Sequence, residues 1–337
     1  MNAIKKIGLS ALAGSLVAMS ANALEVTMSG GASVAVTSAA KTNKSTFYQN
    51  DSITFKVSGE TDGGLTVTTS MELDGDTAGT TAGMDSRSIK MEHPEFGTVT
   101  FSGHGGDTVI GGWDDMTPTA YEEVWALTKT SAATPVGNSS IGGFGGNNLW
   151  RYDSPTFGGA TFSASYNSAS KAAATNSGAS VSSYTDMGIK FVPEAIDGLS
   201  MGYAVGEHDE STSGTGNGTD VLGLDSSTLW VKYAIGSVTV GYQESEVDGP
   251  TVTQDDESTA MSISYAISDD LSVSYGTHEL DLGSATATGT DQESSGFSAS
   301  YTMGGTTISA AFNETDNING TATDDEESME IALVFAF

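Results

Sequence analysis

Met261-Ser262-Ile263-Ser264-Tyr265-Ala266-Ile267-Ser268-Asp269-Asp270-Leu271-Ser272-Val273-Ser274-Tyr275 is the stretch from which the fold follows. Apolar side chains take every second position in both arms and serine takes the places between. A strand with two unlike faces has that two-residue period; a helix does not. Ser268–Asp270 carries the side chains that reverse a chain sharply. The stretch therefore reads as a hairpin. The same alternation appears at Ile53/Phe55/Val57, Leu65/Val67 with Met71/Leu73, Phe162/Ala164/Tyr166, Met201/Tyr203/Val205, Leu229/Val231/Tyr233, Val238/Val240/Tyr242, Phe297/Ala299/Tyr301 and Ile331/Leu333/Phe335/Phe337. Helical periodicity is nearly absent.

The connections alternate in length. Tight turns are expected at Asp62-Gly63-Gly64, Pro94–Gly97, Thr156–Gly159, Pro193–Gly198, Ile235–Ser237, Ser268–Asp270 and Met303–Gly305. Between them lie longer polar stretches near 37–51, 74–85, 104–146, 168–183, 209–224, 247–256, 280–294 and 314–325. Seven short and eight long connections join sixteen strands. An even number of antiparallel strands, with short turns at one end and long loops at the other, is the pattern of a transmembrane barrel.

Alternation alone also fits a soluble sandwich, whose apolar faces pack inward. Three features select the barrel. Tyr166, Tyr203, Tyr242 and Tyr275 fall toward the long loops and Tyr233, Tyr265 and Tyr301 beside the short turns, giving the two aromatic rows expected at two water–lipid interfaces. The other face is small and hydroxylic, with Ser163, Ser165, Ser262, Ser264, Ser272, Ser274, Ser298 and Ser300, which suits a wetted lumen. The chain also ends on Phe337, with Met329 through Phe335 at the same parity.

Lys5 and Lys6 precede an apolar run from Ile7 to Met19, and Ala21-Asn22-Ala23 supplies a small-x-small cleavage site. Residues 1–23 thus read as a secretory leader, and 24–337 as a single barrel domain. The apolar run falls short of the roughly 20 residues a membrane helix needs. The 337 residues hold 43 acidic and 12 basic side chains, a formal charge of −31, and no cysteine. A disulfide framework and a thiolate metal site are excluded, and a nucleic-acid partner would meet a field of its own sign.

Arg151-Tyr152-Asp153-Ser154-Pro155-Thr156-Phe157-Gly158-Gly159 resembles a strand-and-turn signature of the Gram-negative general porin family. Phe96-Gly97-Thr98-Val99-Thr100-Phe101 is similar to the strand leading into that family's inward-folded third loop. Where the family usually has a Gly-Arg pair, this chain reads Ser102-Gly103-His104, so one basic wall residue is missing or replaced by a weaker base. The resemblance spans the mature chain in layout and about twenty residues in motif. It implies an all-β, sixteen-stranded antiparallel barrel with short periplasmic turns, long extracellular loops and residues 104–146 folded inward as a constriction. It further implies a homotrimer, an outer-membrane lipid surround, and recognition of the terminal Phe337 by the barrel-assembly machinery.

On that reading Asp107, Asp114, Asp115, Glu122 and Glu123 would place negative charge where a solute passes, and Thr119–Leu127 could form a short helix. Lys56, Lys90, Arg151, Lys190 and Lys232 alternate with apolar neighbours and are expected on the lumen wall, because a charge facing lipid at mid-depth costs about 2–4 kcal/mol. Arg87 is grouped with them, although it shares parity with Ile89 and must therefore lie beyond the membrane band or in a bulge. Acids and bases facing each other would set a transverse field across the pore. The alternative for the basic residues is simple pairing with nearby wall acids.

Further acids at Glu207/Asp209/Glu210, Glu244/Glu246/Asp248, Asp255/Asp256/Glu257, Asp281 and Asp324/Asp325/Glu326/Glu327 are expected in long loops. They read as solvated faces or as weak Ca²⁺ ligands at the outer mouth; the chain has no complete EF-hand order and no other cofactor is expected. His93, His104, His208 and His278 stand apart from any nucleophile motif, and the chain holds neither a Walker loop nor His-Glu-x-x-His, so no enzymatic activity is expected. The expected function is passive diffusion of small hydrophilic solutes and ions with cation preference, after export to the Gram-negative outer membrane. A substrate-specific channel, or an acidic surface adhesin built as a sandwich or solenoid, are the alternatives.

Overall fold

Alternation in sequence becomes strand in the computed structural model, which describes residues 25–39, 44–75, 83–126, 146–168, 170–171, 180–181, 183–208, 223–249, 255–283 and 290–337. The expected leader, 1–23, lies outside the described residues. The strands are β1 (Glu25–Ala39), β2 (Lys44–Glu60), β3 (Thr66–Asp74), β4 (Gly83–His93), β5 (Gly97–His104), β6 (Leu149–Asp153), β7 (Ala160–Asn167), β8 (Ser170–Lys171), β9 (Ser180–Val181), β10 (Tyr184–Phe191), β11 (Leu199–His208), β12 (Asp225–Ile235), β13 (Val238–Asp248), β14 (Asp256–Ala266), β15 (Leu271–Leu282), β16 (Gln292–Met303), β17 (Thr306–Asp316) and β18 (Glu326–Ala336). Two of them, β8 and β9, pair only with each other inside a long loop. The other sixteen form one closed antiparallel barrel in sequence order.

Closure is made by β1 against β18, in register from Gly31 opposite Ala336 to Ala39 opposite Ser328. The amides of Gly30 and Phe337 donate to each other's carbonyls at 2.8 and 3.0 Å, so Phe337 is the last link of the seam. A closed barrel has no sheet edge, so every strand amide can find a partner inside the sheet, as a hydrocarbon surround requires. The sandwich and solenoid alternatives are excluded by that closure.

The apolar parity looks outward. Phe297 is 64% exposed and Ile263 44%, whereas Ala260 and Ala311 on the inward parity are 1% and 0%. Of the tyrosines expected at the interfaces, Tyr166, Tyr203, Tyr265, Tyr275 and Tyr301 are exposed on the outward parity and Tyr233 and Tyr242 half-buried.

Several strands overrun their expected ends at the loop side. Residues 44–51, expected in a loop, belong to β2, where Ser38 opposes Ser45 and Thr37 opposes Thr46. Hydroxyl pairs of this kind stabilise a ladder in water, so the hairpin continues past the apolar band. Glu207, Glu244, Glu246, Asp248, Asp256, Glu257, Asp281, Glu326 and Glu327 are likewise strand residues and not loop residues.

Candidate functional site

The third loop leaves β5 at Gly105, whose φ of +60° suits a residue without a side chain. Its neck is tied by Gly106 and Gly146, each amide donating to the other's carbonyl at 3.1 and 2.8 Å. From there residues 107–126 run along the inner wall. The Ile110 amide donates to Asp186 of β10 at 2.8 Å, and the Met116 amide to Gln243 of β13 at 2.7 Å. Ser262 of β14 donates to the Pro118 carbonyl at 2.7 Å, while the Ala120 and Tyr121 amides donate to Ser274 and Ser298 of β15 and β16 at 2.9 and 3.1 Å. Asn313 of β17 donates to the Glu123 carbonyl at 2.9 Å, and Tyr121 donates its hydroxyl to Glu330 of β18 at 2.6 Å.

Apolar contacts complete the seat. Val109, Ile110 and Trp113 pack with Ala204 and Trp230 of the wall, and Val124 and Trp125 with Ala260. Part of the serine face, read from sequence as a wetted lumen, is therefore the bed of this loop. The helix expected at Thr119–Leu127 is absent over the described residues 119–126, because the Ala120 and Tyr121 amides bond to wall hydroxyls instead of to a preceding turn; Leu127 lies outside them. A single 3₁₀ turn, Gly111–Trp113, stands earlier in the loop.

Four of the five loop acids gather. Asp115 is hydrogen-bonded to both Asp114 and Glu123, and Glu122 lies within electrostatic reach of Glu123. Burial, then the charge of Asp115, pushes the Asp114 carboxyl up to about 6. Burial first, with Asp115 and Glu122 adding to it, pushes Glu123 up to about 7. The same causes in kind, burial and then Glu330, raise the Tyr121 phenol. Asp107 is exposed near the neck.

The expected wall cations divide. Lys56 is exposed on the inward parity of β2, opposite Ser70. Lys90 forms an ion pair with Glu92 at 2.9 Å. Arg151 pairs with Asp153 at 3.2 Å and also donates to the carbonyls of Asp107 and Thr108 at 3.4 and 3.0 Å, so it buttresses the start of the loop. Lys190 and Lys232 lie within electrostatic reach of each other, and Lys232 also of Asp115. Arg87 does not belong to the wall set. It opposes Met71 on the outward parity, beside a bulge, with its side chain over Gly103.

Asp186, Gln243 and Glu330, each at most 2% exposed, were not singled out in the sequence. Each is a polar residue alternating with apolar outward neighbours, but nothing local distinguishes a wall residue that meets the loop from one that meets water. Among the described residues no group of three or more His, Asp or Glu side chains is placed to hold a metal ion.

A sequence model of the family described as Gram-negative porin matches residues 8–335. No curated protein sequence matches the chain. Among solved structures, two engineered variants of Rhodopseudomonas blastica porin superpose with TM-scores of 0.62 and 0.63, each at 13% identity, covering 93% of this chain and 100% of theirs.

Proposed function

Because the chain belongs to the Gram-negative porin family, we propose that it is an outer-membrane channel for passive diffusion of small hydrophilic solutes, with a preference for cations. The observation that supports this reading is the third loop, bound along the inner wall from β10 to β18, with its acids on the segment so held. Carboxylates at a narrowing raise the local concentration of cations and oppose anions. Two of the five wall cations, Lys90 and Arg151, are already paired with wall acids, so the loop carboxylates outweigh what remains. Lys56, exposed on the inward parity of β2, is the wall cation this reading sets against the loop acids in a field across the passage.

Assembly into a homotrimer is part of the proposal. Tyr152, Tyr166, Tyr203, Tyr233, Tyr242, Tyr265, Tyr275 and Tyr301 all stand on β6 to β16. Among the described residues, the outward parity of β1 to β5 carries Val, Met, Ile, Leu, Phe and Arg87, and neither tyrosine nor tryptophan. An arc without the amphipathic aromatics of a membrane interface fits a protein neighbour better than a lipid–water boundary. Export by the leader and recognition of Phe337 by the assembly machinery belong to the same proposal.

Planar-bilayer recordings of the purified chain in asymmetric KCl test it. The reversal potential is expected to have the sign of cation preference. An anion-preferring potential would overturn the selectivity, and absence of any conductance would overturn the channel.

A further inference from the structure

We infer that Glu330 is a positioning residue for the constriction: one buried carboxylate that latches the distal limb of the third loop to the seam where the barrel closes. The inference rests on the channel reading above and names the group that sets its geometry. Glu330 lies on β18, inward and 2% exposed. Its Oε1 accepts the Tyr121 hydroxyl at 2.6 Å and its Oε2 the Tyr48 hydroxyl at 2.5 Å. Tyr121 belongs to the loop. Tyr48 belongs to β2, on the far side of β1, where Ala35 stands opposite both Tyr48 and Ala332. One side chain thus joins the last strand, the second strand across the first, and the loop.

Residues 118–123 are also tied by Ser262 to the Pro118 carbonyl, by the Ala120 and Tyr121 amides to serines, and by Asn313 to the Glu123 carbonyl. Of these contacts the Tyr121 hydroxyl alone meets a carboxyl group, and it does so on the strand that closes the barrel. Burial first, then Glu330 and after it Glu122, raises the Tyr121 phenol, which keeps its proton on oxygen and available for donation.

Single-channel recordings and sugar-size exclusion in liposomes test the latch with Tyr121→Phe, Glu330→Ala and the double variant. Tyr121 is a loop residue, so its variant leaves the barrel strands intact; heat-modifiability on gels verifies folding of all three. Tyr121→Phe is expected to raise the occupancy of a wider, noisier state about tenfold and to admit larger sugars. The double variant is expected to behave like Glu330→Ala alone, because Glu330→Ala already removes the contact that Tyr121→Phe deletes, together with the one to Tyr48. Wild-type conductance, noise and size limit in Tyr121→Phe, or effects that add in full, would overturn the latch while leaving the channel standing. A wild-type chain that fails to conduct overturns both.

Discussion

Asp114 and Glu123 are both buried beside Asp115, and burial first, with the charge of Asp115 adding to it, holds protons on the two carboxyls. Asp114 at about 6 and Glu123 at about 7 are raised above their ordinary values of 3.8 and 4.5, so the folded chain keeps protons that an unfolded chain has already released. Between about pH 4 and 7 rising pH therefore weakens the loop's seating while it increases the negative charge in the lumen. Cation preference is expected to climb from pH 5 to pH 8, with most of the change between about 6 and 7. Reversal potentials across that range measure it, and Glu123→Gln should remove the upper part of the rise; a flat profile in the unaltered chain would refute the coupling. Arg151 acts at the other end of the loop. Arg151→Met deletes the donors to the carbonyls of Asp107 and Thr108 and removes the cation beside Asp153, which keeps the Ser163 hydroxyl, a loss of about 1–3 kcal/mol in the first limb's attachment. Faster proteolytic cleavage within residues 107–126 of the folded barrel is the expected sign, and unchanged cleavage would leave Arg151 a wall charge only.

At the scale of elements, the loop fits the wall because inward glycines make room for it. A Cβ on Gly188 would stand 2.9 Å from the Trp113 ring, and one on Gly241 would stand 2.3 Å from the Pro118 ring. Gly241→Ala must therefore push residues 117–118 off β13, and with them the Met116 bond to Gln243. A changed single-channel conductance is expected with the barrel still folded by circular dichroism; an unaltered conductance would show that the limb yields without consequence. Neither glycine's purpose is legible in the sequence, where Gly241 is one small residue between Val240 and Tyr242. The strands themselves are legible, because a period of two against lipid is imposed locally on each segment. The meeting of Pro118 with Gly241 depends on residues more than a hundred positions apart, brought together only by closure. For the same reason the acids of the loop could be named in advance as a group, whereas Glu330, Gln243 and Asp186, which receive the loop, could not. Arg87 shows the remaining limit: its parity with Ile89 was readable and decides its outward position, while its grouping with the wall cations followed from charge alone.

For the whole molecule, the strands that overrun the tyrosine rows carry carboxylates on the outward parity and align them across the sheet. Glu246 opposes Glu257, which opposes Asp281; Glu279 opposes Glu293, which opposes Asp316; Glu207 opposes Asp225, which opposes Asp248. Like charges directly opposite each other are destabilising, each pair by about 0.2–1 kcal/mol, and the chain's formal charge of −31 adds a longer-range repulsion. These acids stand at the water-exposed end of the barrel, so their repulsion is open to screening. At 0.01 M salt the screening length is about 30 Å, longer than the distance between neighbouring pairs, and at 1 M it shrinks to about 3 Å. The thermal midpoint of the barrel in a non-ionic detergent should accordingly rise between these two concentrations, and Glu257→Gln, which interrupts one row at its centre, should raise the low-salt midpoint while leaving the high-salt midpoint near that of the unaltered chain. A midpoint that stays constant or falls with salt would refute the repulsion between the aligned carboxylates.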